Sequence, residues 1–198
     1  MMKISLIFLL CFLSLNMLGQ SFKANAIAGI STSQVSSDNL GGFNKFGLKL
    51  GASVFHKVNN GTRAEYAMYY IDKGSRDSKN FFKIDLSYIE SSWSLQKSSK
   101  GIIYEAGLLF AVLIDGATYD RNGKFDTQNS EFSKYDIGAT IGAGIKLKPK
   151  VFMFWEISNT IPLFPIQEHP AGISVGLNKG KYNSIFSFSL RYLLSDEL

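Results

Sequence analysis

Period-two alternation with opposed faces constrains this chain more than any other feature. In Tyr135–Leu147 one list of alternate residues is Tyr135, Ile137, Ala139, Ile141, Ala143, Ile145 and Leu147. The other is Asp136, Gly138, Thr140, Gly142, Gly144 and Lys146. Successive side chains of a strand point to opposite faces, so this segment has one apolar face and one face of glycine bounded by charge. The pattern recurs. Phe46, Leu48, Leu50, Ala52 and Val54 oppose Gly47, Lys49, Gly51 and Ser53; Tyr104, Ala106, Leu108, Phe110 and Val112 oppose Glu105, Gly107 and Ala111. Phe186, Phe188, Leu190 and Tyr192 oppose Ser187, Ser189 and Arg191. Such runs lie near Ser21–Ile30, Phe46–Lys57, Thr62–Lys73, Phe81–Gln96, Gly101–Ile114, Tyr135–Leu147, Val151–Pro162 and Tyr182–Leu194, and none keeps a helical period.

The connections alternate in length. After the second, fourth and sixth runs they are short ("VNNG", "KSSKG", "KPK"). After the first, fifth and seventh they are long and polar, as in "DGATYDRNGKFDTQNSEFSK". Tight turns at one end and long loops at the other are the asymmetry of a membrane barrel, and an even strand number returns the chain to its starting side.

Polarity then assigns the faces. A soluble sandwich has no need of lysine, glutamate and arginine in the middle of its outer face, nor of repeated glycine, which weakens an ordinary strand. An eight-stranded barrel has an interior just wide enough for side chains to fill. The expected interior therefore holds Lys49, Arg63, Glu65, Lys83, Asp85, Glu105, Asp136, Lys146, Glu156 and Arg191, five basic and five acidic. Buried charges must pair, so a balanced set is the expected solution. Gly47, Gly51, Gly107, Gly138, Gly142 and Gly144 share that face and are expected to clear space for long side chains from opposite strands. In the fourth run the apolar set Phe82, Ile84, Leu86, Tyr88 shifts beyond Ile89 to Ser91, Trp93 and Leu95. A bulge there would turn Glu90 inward. Tyr66, Tyr70, Tyr88, Trp93, Tyr104, Trp155, Tyr182 and Tyr192 fall at or near strand ends, as interfacial aromatics do. The contrasting architecture is a secreted, soluble, lipocalin-like barrel whose apolar face lines a ligand cavity.

The N-terminus, "MMKISLIFLLCFLSLNMLGQ", has one lysine, an apolar run and small or polar residues. It reads as a signal peptide over residues 1–20, leaving 21–198 as the barrel domain. The one cysteine, Cys11, falls inside it, so the mature chain is expected to lack disulfides and cysteine-held metals. The 21 basic residues are scattered, which points away from nucleic acid. "GATIGAG" precedes another strand rather than a helix, so it is not a phosphate cradle. "DRNGKFD" (Asp120–Asp126) lacks the ligand spacing of a calcium loop and reads as a hairpin tip. The only histidines are His56 and His169, and His169 with Ser174 is the single conceivable nucleophile pair, with nothing to orient it.

Three segments carry a resemblance to a known family: "LSYIESS" (Leu86–Ser92), "YEAGLLFAVLI" (Tyr104–Ile114) and "YDIGATIGAGIKL" (Tyr135–Leu147), with weaker support from "YYIDKG" (Tyr69–Gly74). They resemble the tyrosine-x-glutamate-x-proline segment, the glutamate-alanine-glycine strand and the aspartate-x-glycine strand of the Bacteroidota outer-membrane β-barrel family that includes the PorT proteins. Ser92 stands where that family has proline, and the chain continues past Tyr192 where the family commonly ends. The resemblance implies an outer-membrane barrel, with some relatives linked to secretion and gliding machinery.

The combined expectation is an all-β, eight-stranded antiparallel up-and-down transmembrane β-barrel in the outer membrane. It is expected to be monomeric and non-catalytic, with no cofactor and no metal, its interior filled by side chains. The expected partners are outer-membrane lipid and proteins met through external loops 115–134 and 163–181, in adhesion, envelope integrity or a secretion assembly.

Overall fold

The computed structural model describes residues 22–36, 42–77, 82–125, 132–169 and 179–194. The expected signal segment with Cys11, Ser174, and residues 126–131 and 170–178 of the two long loops lie outside the described residues. The strands are β1 (Phe22–Ser36), β2 (Lys45–Asn59), β3 (Thr62–Arg76), β4 (Lys83–Ser99), β5 (Ile102–Asp120), β6 (Gly123–Phe125), β7 (Tyr135–Lys148), β8 (Val151–Thr160), β9 (Gln167–Glu168) and β10 (Gly180–Leu193). Eight are long; β6 and β9 are short additions at the long-loop end. Each long strand pairs antiparallel with the next, and β1 pairs with β10 from Asn25↔Leu193 to Ser36↔Tyr182, closing the sheet. The protein is an eight-stranded, antiparallel, up-and-down β-barrel.

Turn chemistry sets one end. Asn59↔Thr62, Ser99↔Ile102 and Lys148↔Val151 are the last strand pairs, so each short connection is two residues. In the middle one Lys100 and Gly101 have φ of 50° and 82°, the paired left-handed geometry of a hairpin turn whose twist matches its strands. At the other end the strands outrun the sequence-based expectation. "TSQVS" continues β1 rather than opening a loop, and β5 runs on to Asp120. The first part of the expected 115–134 loop is thus a β5–β6 hairpin, in which Asn122 N–H donates to Asp120 Oδ1 at the tip (2.7 Å).

The two faces follow the alternation. Phe46, Leu108, Ile141 and Leu95 are exposed on the outer surface, between 59 and 72 % accessible. Above Ile30 and Ile89 that surface turns polar, with Thr32, Gln34, Asp72, Ser87 and Asp115. Asp72 accepts from Ser87 Oγ (2.9 Å), from Leu48 N–H (3.2 Å) and from Tyr70 Oη, so its charge is fully engaged at the edge of the apolar band. Tyr66 with Trp93, and Trp155 with Phe188, pack ring against ring on the outer face.

β4 corrects the sequence reading. It has no bulge: Ile84, Leu86, Tyr88, Glu90, Ser92, Ser94 and Gln96 alternate without a slip and are all buried. The extra residue is in the partner, where Ser87 pairs with Asp115 and Tyr88 with Leu113, leaving Ile114 as the bulge in β5. Ile84, Leu86 and Tyr88 therefore point into the barrel, not to its surface. Lys83 and Asp85 fall on the opposite face from Ile84 and Leu86. They pair with each other at the rim, where Lys45 Nζ also meets Asp85 Oδ1 (2.9 Å), and they are not in the interior charge network.

A layered lumen as the candidate functional site

From the short-turn end the barrel interior is stacked in four levels. The lowest is a cavity of about 740 Å³ lined by Phe55, Phe152, Ile103, Leu193, Arg63 and Gln96, with Lys23, Lys57 and Lys146 at its edge. Lys146, expected inside, is exposed at this mouth, beside the Phe152 ring (6.0 Å to its centroid). It pairs with Phe152, one pair before the last of the hairpin, so its length carries the ammonium to the mouth. Arg63 is half-buried, its guanidinium 4.6 Å from the centre of Phe55, with Nε donating to Gln96 Oε1.

The second level is built on Arg191. Its Nη1 donates to Glu65 Oε1 (2.8 Å) and Glu105 Oε2 (2.9 Å), and its Nη2 to Glu156 Oε1 (3.1 Å). Lys49 Nζ reaches Glu156 Oε2 at 2.8 Å, and Ser189 Oγ donates to the same oxygen. Gln96 Nε2 donates to Glu65 and to Glu105. These seven side chains come from β2, β3, β4, β5, β8 and β10, and contacts between strands that are not neighbours in the wall must cross the lumen. Below Arg191 lies the Phe154 ring (3.7 Å), and Tyr69 lies under the Lys49 ammonium (4.3 Å). Three carboxylates facing two cations leave one negative charge in excess, which donors from Gln96, Ser187 and Ser189 offset.

The third level centres on Lys73, whose side chain is fully buried. Its ammonium meets Glu90 Oε2 (2.6 Å) and Asp136 Oδ2 (3.0 Å). Tyr69 Oη donates to Glu90, Thr160 Oγ1 to Asp136 Oδ1 (2.7 Å), and Asn183 Nδ2 to Asp136 Oδ2 (2.9 Å). The fourth level is apolar: Val35, Ile71, Ile84, Leu86, Ala111 and Ile185 close around Ile166, with Phe132 and Leu113 packed against them. Ile166 comes from the 161–169 segment, tied down by Ser133 N–H to Ile166 O (2.6 Å) and Ile166 N–H to Lys181 O (2.9 Å). The lumen is thus filled from the long-loop end down to the lower cavity.

The six glycines lie on the lumen face, where close approach forbids a side chain. A Cβ on Gly142 would stand 2.8 Å from Trp155 O and 3.1 Å from the Glu156 stem; one on Gly144 would meet the Phe154 ring at 2.7 Å. At Gly47, Gly51, Gly107 and Gly138 the nearest obstruction is a carbonyl of the neighbouring strand, between 2.2 and 2.6 Å away. Gly138, Gly142 and Gly144 also make room for the lumen side chains of Leu109, Glu156 and Phe154.

Sequence reasoning placed Lys49, Glu65, Glu105, Asp136, Glu156 and Arg191 at this site by alternation, and in the structure they meet there; it turned Glu90 inward through a bulge in β4 that the structure lacks, and Glu90 reaches the site by plain alternation instead. It missed Lys73, Gln96, Lys45, Tyr69, Tyr88, Thr160 and Asn183. Lys73 has the same parity as Arg63 and Glu65 in an unbroken strand, so counting by two would have found it. Among the described residues no group of three His, Cys, Asp or Glu side chains could hold a metal ion.

Apolar side chains outside, cross-lumen ion pairs within and a closed antiparallel wall define the class: an eight-stranded barrel of the outer-membrane type. A lipocalin-like barrel has the reverse polarity through its middle. No family model matches the chain and no curated protein matches it. Solved structures do. Neisserial surface protein A aligns over 88% of this chain and 98% of its own at 16% identity and a TM-score of 0.52. Ail, the attachment invasion locus protein of Yersinia pestis, aligns over 87% and 98% at 11% identity and a TM-score of 0.52. The structure of Ail with the heparin analogue sucrose octasulfate aligns over 88% and 99% at 9% identity and a TM-score of 0.50. At these identities the likeness is one of fold.

Proposed function

We propose that this protein is an integral outer-membrane barrel with a structural or interaction role, exported by its N-terminal segment, monomeric, non-catalytic and not a general pore. The observation that carries this reading is the polarity of the wall: large apolar side chains stand exposed around the barrel while Arg191, Lys49 and Lys73 are sealed inside with their carboxylates. Water would penalise the outer face, and hydrocarbon of about the same height would solvate it. Interaction then falls to the long-loop end, through 115–134 and 163–181, because the wall faces lipid and the lumen is closed there. Likeness to an attachment protein supports adhesion. The resemblance to the PorT-containing family supports an accessory place in a secretion or gliding assembly instead.

Cell fractionation tests the placement: the mature protein should pellet with outer membranes and need detergent for release. Recovery in the aqueous phase would refute it. Crosslinking intact cells and identifying proteins joined to cysteines placed at Arg121 and Lys179 separates the two roles. Envelope partners support the assembly role, whereas binding of labelled cells to host-type glycans without such partners supports adhesion.

A further inference from the structure

The cavity at the short-turn end has no part in the role just proposed. It is blind, since the Arg191 layer, the Lys73 layer and the apolar plug lie above it. Its volume, about 740 Å³, is in the range of small-molecule sites. Its walls combine two unlike chemistries. Phe55, Phe152, Ile103 and Leu193 give an apolar lining, and among the described residues no carboxylate joins them. Four cations surround them: Arg63 within, Lys146, Lys23 and Lys57 at the edge.

Arg63 is the informative one. Of the five N–H donors of a guanidinium, only Nε is engaged, by Gln96 Oε1. Its terminal nitrogens make no hydrogen bond or salt bridge with any described residue. The nearby Glu65 and Glu105 are taken by Arg191 and Gln96. The Phe55 and Phe152 rings, 4.6 and 5.7 Å away, hold the guanidinium in place. A half-buried, pre-positioned fork of this kind suits a planar or tetrahedral oxyanion. Lys23 and Lys57 beside a low-dielectric wall also concentrate anions at the mouth.

We propose that this cavity binds a small anionic amphiphile, its carboxylate or phosphate head on Arg63 and its apolar body along Phe55, Phe152, Ile103 and Leu193. The apolar lining favours such a molecule over an inorganic anion, and the enclosed volume favours it over a polymer. That the mouth opens to the periplasm rests on the membrane placement above; binding itself does not.

The test is a methyl-NMR titration of the full barrel in phosphatidylcholine nanodiscs, with decanoate as probe and acetate and decyltrimethylammonium as controls. Decanoate should shift the Ile103 and Leu193 methyls saturably, with neither control doing so. Arg63→Gln should weaken decanoate at least tenfold, while heat-dependent gel mobility reports an intact barrel. If Arg63→Gln does not fold, Lys57→Gln alone, at an exposed site of the cavity edge, should weaken it at least threefold. An unsaturable response, an equal response to decyltrimethylammonium or an unchanged affinity in the folded variants overturns the proposal. So does a decanoate response that appears only after deleting residues 195–198, because the acidic Asp196–Glu197 segment would then be the occupant. A protein that stays in solution without lipid would sink the membrane placement and leave the same titration to be run in buffer.

Discussion

Arg191 holds three carboxylates apart with one guanidinium, and it does so where water is excluded. Replacing it with methionine preserves volume but leaves Glu65, Glu105 and Glu156 facing one another, with Lys49 on Glu156 as the one ion pair left to them among the described residues. Removing one partner of a buried ion pair costs about 3–5 kcal/mol, far more than the pair contributes over an apolar substitute. Arg191→Met should therefore lower the urea midpoint of the refolded barrel by that equivalent, read from heat-dependent gel mobility. Arg191→Lys should fall between, since an ammonium cannot span three acceptors in one plane. A midpoint unchanged in Arg191→Met would mean that the carboxylates find water or protonate without strain. The glycines give a second residue-scale test. Gly142→Val puts a branched side chain against Trp155 O and Glu156, and overpacking of this kind costs about 1–3 kcal/mol. Ile141→Leu, one residue along and 62 % exposed, should assemble as the parent does. Equal yields of folded barrel from the two would contradict the assignment of faces.

β4 shows, at the scale of an element, how far alternation can be read. β7 was legible through Ile145: its apolar and glycine faces fall where counting by two puts them, and its end departs, where the register slips between Lys146 and Lys148 and Lys146 reaches the mouth. β4 was not, because its inward list changes chemistry partway, from Ile84, Leu86 and Tyr88 to Glu90, Ser92, Ser94 and Gln96. Polarity marks the lumen face only where the lumen is polar, and at the long-loop end it is an apolar core. A continuous strand with two environments on one face imitates a phase slip. The true slip, at Ile114, lies in β5, where an apolar residue on either face leaves no trace in the pattern. Pairing of Ser87 with Asp115 and Tyr88 with Leu113 exposes it. The assignment predicts unequal costs for one chemical change. Leu86→Ala opens a cavity among Ile84, Ala111 and Ile166 and should destabilise by about 2–5 kcal/mol. Leu108→Ala, on the outer face, trades protein methyls for lipid and should cost no more than about 1 kcal/mol. Equilibrium unfolding of both in the same lipid checks the difference, and similar values would return Leu86 to the surface.

For the whole molecule, the layers act in series. An ion crossing from the long-loop end would first meet the Ile166 plug, then the Lys73–Glu90–Asp136 level, then Arg191 and its three carboxylates, before reaching the open lower cavity. Small barrels are filled by side chains, and aqueous channels belong to larger ones. Planar-bilayer recordings should show no steady steps of porin size. Series blocking makes a sharper expectation than closure alone, since an ion must pass every level in turn. Shortening the 161–169 segment so that Ile166 is lost should not open a conducting path, because two hydrogen-bonded levels remain beneath it. Combining that change with Lys73→Ala should still leave the Arg191 level intact and the barrel silent. Only loss of all three should admit ions. Currents in the single loop variant would show that the paired charges part readily. The lumen would then be a gate rather than a set of braces, and the plug alone would decide whether the barrel conducts.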